Sequence, residues 1–400
     1  MRADIYNPLA DGFVHRAYEV YTTLRRDDPL HRTELGNIMV TRHADVRTAL
    51  SHKGARNVDL SATPRMKAGH TDGFHTLKKT LKEFLILING EEHQRLRKHF
   101  ARLMDSQVVA AAMTSFQQTL HARSQLLAQA DSIDLQLDFA VPVATSFTMG
   151  LMGFPQRDSI WVGKMVRSMA RVIDTFVSIN EYAGIEKDVE SMADYIDEII
   201  VQKRIQPDGS LISNAAGLID ELPQEDHAGI ISNLILVTLA SSATMTDTIG
   251  TTSLALLSHK DQLSLLSHSP ENMARAADEL IRYHSPVEII NRYAFEDIEL
   301  DSGVIPKGSL YCCVLGSANR DESVFENAAE LDLSRPKNPH LGFAFGPHTC
   351  IGNHAAKYEL IATLEVLSQH LPDFRMANDR AEWRQSSVFR GLEHLEVVRI

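Results

Sequence analysis

Cysteine is scarce in this chain: three in 400 residues, two of them adjacent at Cys312 and Cys313. No disulfide framework can be built from such a set, which predicts a reducing compartment and a cytoplasmic protein. Residues 1–8 carry no apolar signal core, and the most apolar run, residues 230–240, is short for a bilayer and leads into Ser241, Ser242 and Asp247. A soluble protein with no membrane partner is the expectation. No lysine-arginine block occurs and the net charge is -12, which argues against nucleic-acid binding. Nor do the glycines form a Gly-x-Gly-x-x-Gly string after a strand, so no flavin or nicotinamide site is fused here. What remains is ample: 44% hydrophobic residues over this length suffice for a large core.

The most informative stretch runs Gly342-Phe343-Ala344-Phe345-Gly346-Pro347-His348-Thr349-Cys350-Ile351-Gly352. It reads as a glycine-punctuated loop ending in one cysteine, followed by Ala355, Ala356, Leu360, Ile361, Leu364 and Leu367 at helical spacing. At a helix start, free amide hydrogens and the positive end of the helix dipole favour a thiolate. Gly346 and Gly352 remove side chains near the sulfur, leaving room for a large flat ligand. Taken alone, such a cysteine is more often a small buried hydrophobe than a ligand.

The full string resembles the heme-binding loop of the cytochrome P-450 family, matched by Phe343, Gly346, Cys350 and Gly352, with His348 where soluble bacterial members carry a histidine. The resemblance extends over essentially the whole chain. It implies a mainly α fold with small β-sheets, a single triangular helical domain spanning 1–400, and heme b with Cys350 as the proximal metal ligand. It also implies a monooxygenase that inserts one atom of O2 into a small hydrophobic substrate by hydroxylation or epoxidation, in secondary metabolism. Electrons would come from a ferredoxin and a ferredoxin reductase, docking on basic residues such as Lys98, Arg102 and Lys357; a monomer is expected.

Several further residues take their roles from that resemblance. His93 and Arg97 stand four apart, on one face of a helix, where they can clamp an anion or simply begin a charged helix; the family uses such a pair for heme propionates, together with Arg292 and His348. Glu279 and Arg282, which read locally as an i,i+3 surface pair, match a buried family network whose third member is Arg335. In Ala240-Ser241-Ser242-Ala243-Thr244, Thr244 matches the oxygen-activating threonine, Ala240 the alanine that opens the family motif and lies at the cofactor, and Ser241 replaces the glycine whose lack of a side chain leaves room above the iron. Ala243 occupies the place of the usual acid. Proton delivery then falls to Thr244 with Ser241 or Ser242, or to Asp247 through water. The competing expectation is atypical oxygen activation: peroxide-driven oxidation, oxidative coupling or rearrangement.

Elsewhere the periodicity predicts a helix over residues 13–24, a strand pair around Gly36-Asn37 within residues 35–41, and a helix from Ala44. Residues 51–76 read as a loop in which Arg56, Arg65, His70 and His75 either meet substrate or face solvent; the resemblance implies a substrate-covering loop here, so that the stretch 57–87 would contribute to specificity. Residues 106–205 read as mostly helical, broken at Gly153-Phe154-Pro155, and residues 225–258 as one very long helix. Val287 to Arg292 reads as a strand, with Glu288 facing away from Val287 and Ile289. A closing hairpin is expected from Trp383 to Leu395, its turn bringing residues 387–389 to the substrate.

Overall fold

A computed structural model describes residues 5–8, 10, 12–60, 74–173, 177–266 and 269–400. Arg65 and His70 lie outside the described residues. The chain forms two compact units, one from residues 1–58, 127–140 and 247–400, the other from 59–126 and 141–246. The fold is predominantly helical with small sheets.

The first unit holds a five-stranded sheet in the order Leu30–Arg32, Ile38–Val40, Leu310–Val314, Ile289–Ala294, Ala55–Arg56. Only Ile38–Val40 and Leu310–Val314 run parallel. Alternation along the strands sorts their side chains onto two faces. Met39, Ile289, Cys312 and Val314 pack with Phe13, Val20, Tyr21 and Leu24 of the helix Phe13–Asp27, whereas Ile38, Val40, Tyr311 and Cys313 pack with Val46, Ala49 and Leu50 of the helix His43–Ser51. Both Cys312 and Cys313 are thereby buried, which pushes their thiols up to about 12.

Two local expectations shift. The first hairpin strand is Leu30–Arg32, not the residues next to the turn; Leu35 belongs to the turn and is 86% exposed, while Gly36 takes the left-handed φ of 83° that the turn needs. After Pro286 the ladder begins at Ile289, Val287 making only a single bridge with Phe389. Glu288 is turned away from the strand's other face, as alternation requires, but into the interior. It accepts a hydrogen bond from Tyr18 Oη at 2.8 Å, and burial raises its pKa against the opposing pull of Arg390 and Arg320.

Ion pairing concentrates at one buried point. Arg282 Nε and Nη2 donate to the two oxygens of Glu279 at 2.7 Å each, and Arg335 Nε adds a third bond at 2.9 Å. The remaining donors of Arg282 reach the carbonyls of Asn319, Ala328 and Glu330, all at 2.8 Å. A fully satisfied network is the condition under which buried charge is tolerated.

The second unit is helical: His75–Glu83, Gly90–Leu103, most of Ser106–Gln129, Val141–Met152, Ser159–Ala170, Ile179–Ile205, Leu211–Glu221 and the first part of Gln224–Ser258. The break at Gly153 has a backbone cause, φ 81°. Two stretches, residues 135–152 and 226–258, are long and apolar enough to cross a membrane by composition, the second extending the run that looked short in sequence. They are 72% and 61% buried within the fold, the pattern of core helices.

Candidate active site

Within the first unit the cysteine loop is shaped by its own backbone. Ala344 and Gly346 adopt φ of 58° and 80°, the Thr349 amide and hydroxyl donate to Gly346 O, and the Cys350 amide donates to Phe343 O at 2.9 Å. A reversal this tight leaves Cys350 exposed, three residues before the start of the helix Asn353–His370. Gly346 has a second reason to be glycine. A Cβ there would stand 2.9 Å from Ser51 Cα and 3.1 Å from Leu50 O, so the loop rests against the end of the helix His43–Ser51. The loop also hangs from the buried ion-pair network: Arg282 binds Asn319 O, Asn319 Oδ1 accepts from the Leu341 amide at 2.6 Å, and Leu341 O accepts from the Ala344 amide.

Nearby charges have been left for an anion. Arg292 is buried, its hydrogen bond goes to Asn291 O, and it pairs with no carboxylate among the described residues. Desolvation lowers its pKa, with Cys313 and Tyr311 the groups that oppose this. A buried guanidinium without a counter-charge fits a propionate. His348 Nε2 lies 3.0 Å from Asn57 Nδ2, a partner the sequence reading did not assign.

The second unit carries the other expected residues. On the helix Gly90–Leu103, His93 is buried and Arg97 half-buried, one turn apart. The long helix Gln224–Ser258 is packed around most of its middle, yet Ala240 is exposed and Val237, Ser241 and Thr244 are half-exposed. Those positions follow the i, i+3, i+4, i+7 rule and form one open stripe. Such an opening in an apolar core helix suits a large planar group. Ser241 Oγ donates to Val237 O at 2.7 Å and lies 2.9 Å from Thr148 Oγ1, which can therefore donate to it; Thr244 Oγ1 donates to Ala240 O at 2.8 Å. Ser242 is only 3% exposed and belongs to the packed side with Met245, not to the stripe.

Asp247, one turn beyond Thr244, is 1% exposed and belongs to the first unit. Arg384 grips it with both terminal nitrogens, at 2.9 and 2.6 Å, and Gly391 packs against the carboxylate. Burial nevertheless dominates the titration and pushes Asp247 up to about 6. Sequence reading missed Arg384 and Thr148, because each acts through contacts 137 and 93 residues away. Lys357, expected to meet a redox partner, is ion-paired with Asp278.

The first unit thus offers an exposed cysteine on a braced loop before a helix and a buried arginine without a described carboxylate partner, and the second an open, hydroxyl-bearing helix stripe. Known proteins similar to this chain are cytochromes P450. A cytochrome P450 family model matches residues 273–383. The polyketide biosynthesis cytochrome P450 PksS of Bacillus subtilis (strain 168) is 28% identical, the match covering 98% of both chains. The biotin biosynthesis cytochrome P450 of the same organism is also 28% identical, over 96% of each. Among solved structures, P450BioI in complex with an acyl carrier protein ligated to hexadec-9Z-enoic acid is similar with a TM-score of 0.87 and 25% identity, over 97% of this chain and 99% of that one. Over nearly its whole length the chain is similar to cytochrome P450 proteins.

Proposed function

We propose that the chain binds heme b and uses O2 to hydroxylate or epoxidise a long hydrophobic acyl or polyketide-type substrate in secondary metabolism. The observation that carries this reading is the exposed Cys350 on its braced loop. Cys350 would ligate the iron, with Arg292, His348, His93 and Arg97 on the propionates and Phe343, Gly352 and Ala240 against the ring. When bound, the heme supplies the iron at which O2 is activated, using two electrons that we assign to a ferredoxin and its reductase. The polypeptide's part is positioning and proton control. Thr244 Oγ1 already spends its proton on Ala240 O, so its oxygen is the acceptor end of any relay, while Ser241, bonded on both sides, fixes the helix stripe.

The substrate class draws support from the relatives, whose names concern polyketide and biotin biosynthesis, and from the solved complex with an acyl carrier protein. We therefore take the substrate to arrive as a thioester on such a carrier. The absence of a disulfide among Cys312, Cys313 and Cys350 fits a reducing, cytoplasmic setting, and we take the 400 residues to work as one monomeric domain. A second reading has its own observation: Ala243 stands where an acid is usual and both oxygens of Asp247 are held by Arg384, so peroxide-driven oxidation, coupling or rearrangement would need less proton delivery. The deciding experiment compares product formed with O2, ferredoxin and reductase against product formed with peroxide alone. Turnover with O2 supports oxygenation, whereas turnover confined to peroxide overturns it in favour of the second reading.

A further inference from the structure

The helix His75–Glu83 has one packed face and one face that the chain leaves unused. Leu77, Thr80 and Leu81 are buried, while Lys79 and Lys82 are exposed and Lys78 half-exposed. Positions 78, 79 and 82 fall on one side of a helix. None of the three lysines forms an ion pair with a described residue. Burial and the neighbouring charge of Glu92 raise the pKa of Glu83, against the pull of Lys79 and Arg95. One turn past Lys82, Ile86 is 40% exposed. In a protein of net charge -12, three adjacent cations beside an exposed aliphatic side chain are a departure from the prevailing field.

The helix is also held at both ends. Glu186 accepts from the amides of Thr76 and Leu77 at 2.9 and 2.7 Å, satisfying first-turn donors with a carboxylate, and Glu190 accepts from the Thr76 hydroxyl. At the other end Asn233 bridges Glu83 O and the Leu85 amide at 2.6 and 2.7 Å. Fixed charges steer a partner at lower entropic cost than charges on a loose loop.

We infer that the Lys78, Lys79 and Lys82 face, with Ile86 beside it, is the docking surface for the acidic carrier protein that presents the acyl substrate. The inference rests on the carrier-bound reading above. A carrier is favoured over a ferredoxin because the similar solved structure is a complex with an acyl carrier protein and this helix lies within the stretch 57–87 that the family resemblance assigns to specificity. Acyl carrier proteins offer acidic and apolar side chains along a helix, which matches cations flanking an aliphatic contact.

The test uses the full-length holoenzyme, with hexadec-9Z-enoyl acyl carrier protein and free hexadec-9Z-enoic acid as probes, followed by the substrate-induced spin-state shift. The variants are Lys78→Glu/Lys79→Glu/Lys82→Glu and the neutral Lys78→Gln/Lys79→Gln/Lys82→Gln. The native enzyme should bind the loaded carrier more tightly than the free acid, with an affinity that falls as salt rises. The glutamate variant should lose about tenfold or more for the loaded carrier, the glutamine variant less, and both should bind the free acid within about twofold of native and keep their rate of reduction by ferredoxin. Unchanged carrier affinity in the glutamate variant refutes the docking face and leaves the carrier reading standing. A native enzyme that gives no response to the loaded carrier, or prefers the free acid, refutes both. A fall in ferredoxin reduction with carrier affinity intact reassigns the face to the electron donor and so overturns the inference.

Discussion

Cys350 and Asp247 show how differently two functional groups on one chain are treated. Cys350 is exposed, whereas burial holds the other two cysteines as neutral thiols. Cys350→Ser is expected to abolish the carbon-monoxide band of thiolate-ligated heme and all O2-dependent turnover; survival of both in the variant would remove the basis for the proposed ligand. Asp247 is controlled by burial. Its pKa, raised from 3.8 to about 6, means that its proton is favoured by the fold: this contribution is fully present below about pH 4 and is lost as pH rises through 6. Arg384 is what makes the ionised form tolerable above that range. Arg384→Gln should therefore destabilise by about 3 kcal/mol or more near pH 8, where a buried carboxylate loses its partner, and by about 1 kcal/mol near pH 5, where most Asp247 is already protonated. Denaturant melts at the two pH values read the difference, and a cost independent of pH would mean that Asp247 does not titrate as described. For the hydroxyls, Thr244→Ala should lower product formed per electron consumed. Thr148→Val should act more mildly, through loss of its hydrogen bond to Ser241, and should leave the spectrum of the thiolate-ligated heme intact.

At the scale of elements, the cysteine loop depends on a neighbour that the sequence does not advertise. Gly346→Ala combines a left-handed φ with a collision against the backbone of Leu50 and Ser51, neither of which can yield as a side chain would. We expect a loss on the order of 2–4 kcal/mol and weakened heme retention, measured by thermal melting and by transfer of heme to an apo-globin acceptor. Legibility follows the same division. The cysteine loop and the long helix could be read because each carries a local pattern of its own. The strand before Gly36 was misplaced because apolar Leu35 imitates a strand residue although it is spent in a turn. Ser242 looked equivalent to Ser241 until the helix fixed their directions about 100° apart, one towards the open stripe and one into packing. Arg384 and Thr148 were illegible for another reason: pairing across such separations leaves no local period to detect.

For the whole molecule, the pair of residues Glu279 and Arg282 was readable as a motif, but the weight it bears was not. Glu279→Gln or Arg335→Leu should cost roughly 3–5 kcal/mol by leaving buried charge unpaired. Native stability measured by denaturant unfolding checks this, and a loss under 1 kcal/mol in both would place the stability elsewhere. The line of bonds from Arg282 through Asn319 and Leu341 to Ala344 is made by polypeptide atoms alone. Before any cofactor enters, the loop is thus already tethered to the most buried charges in its unit. A cofactor-free chain should keep slow hydrogen exchange at the Leu341, Ala344 and Cys350 amides, and on the proposed reading iron-porphyrin uptake would then be capture by a finished receptor, not the last step of folding.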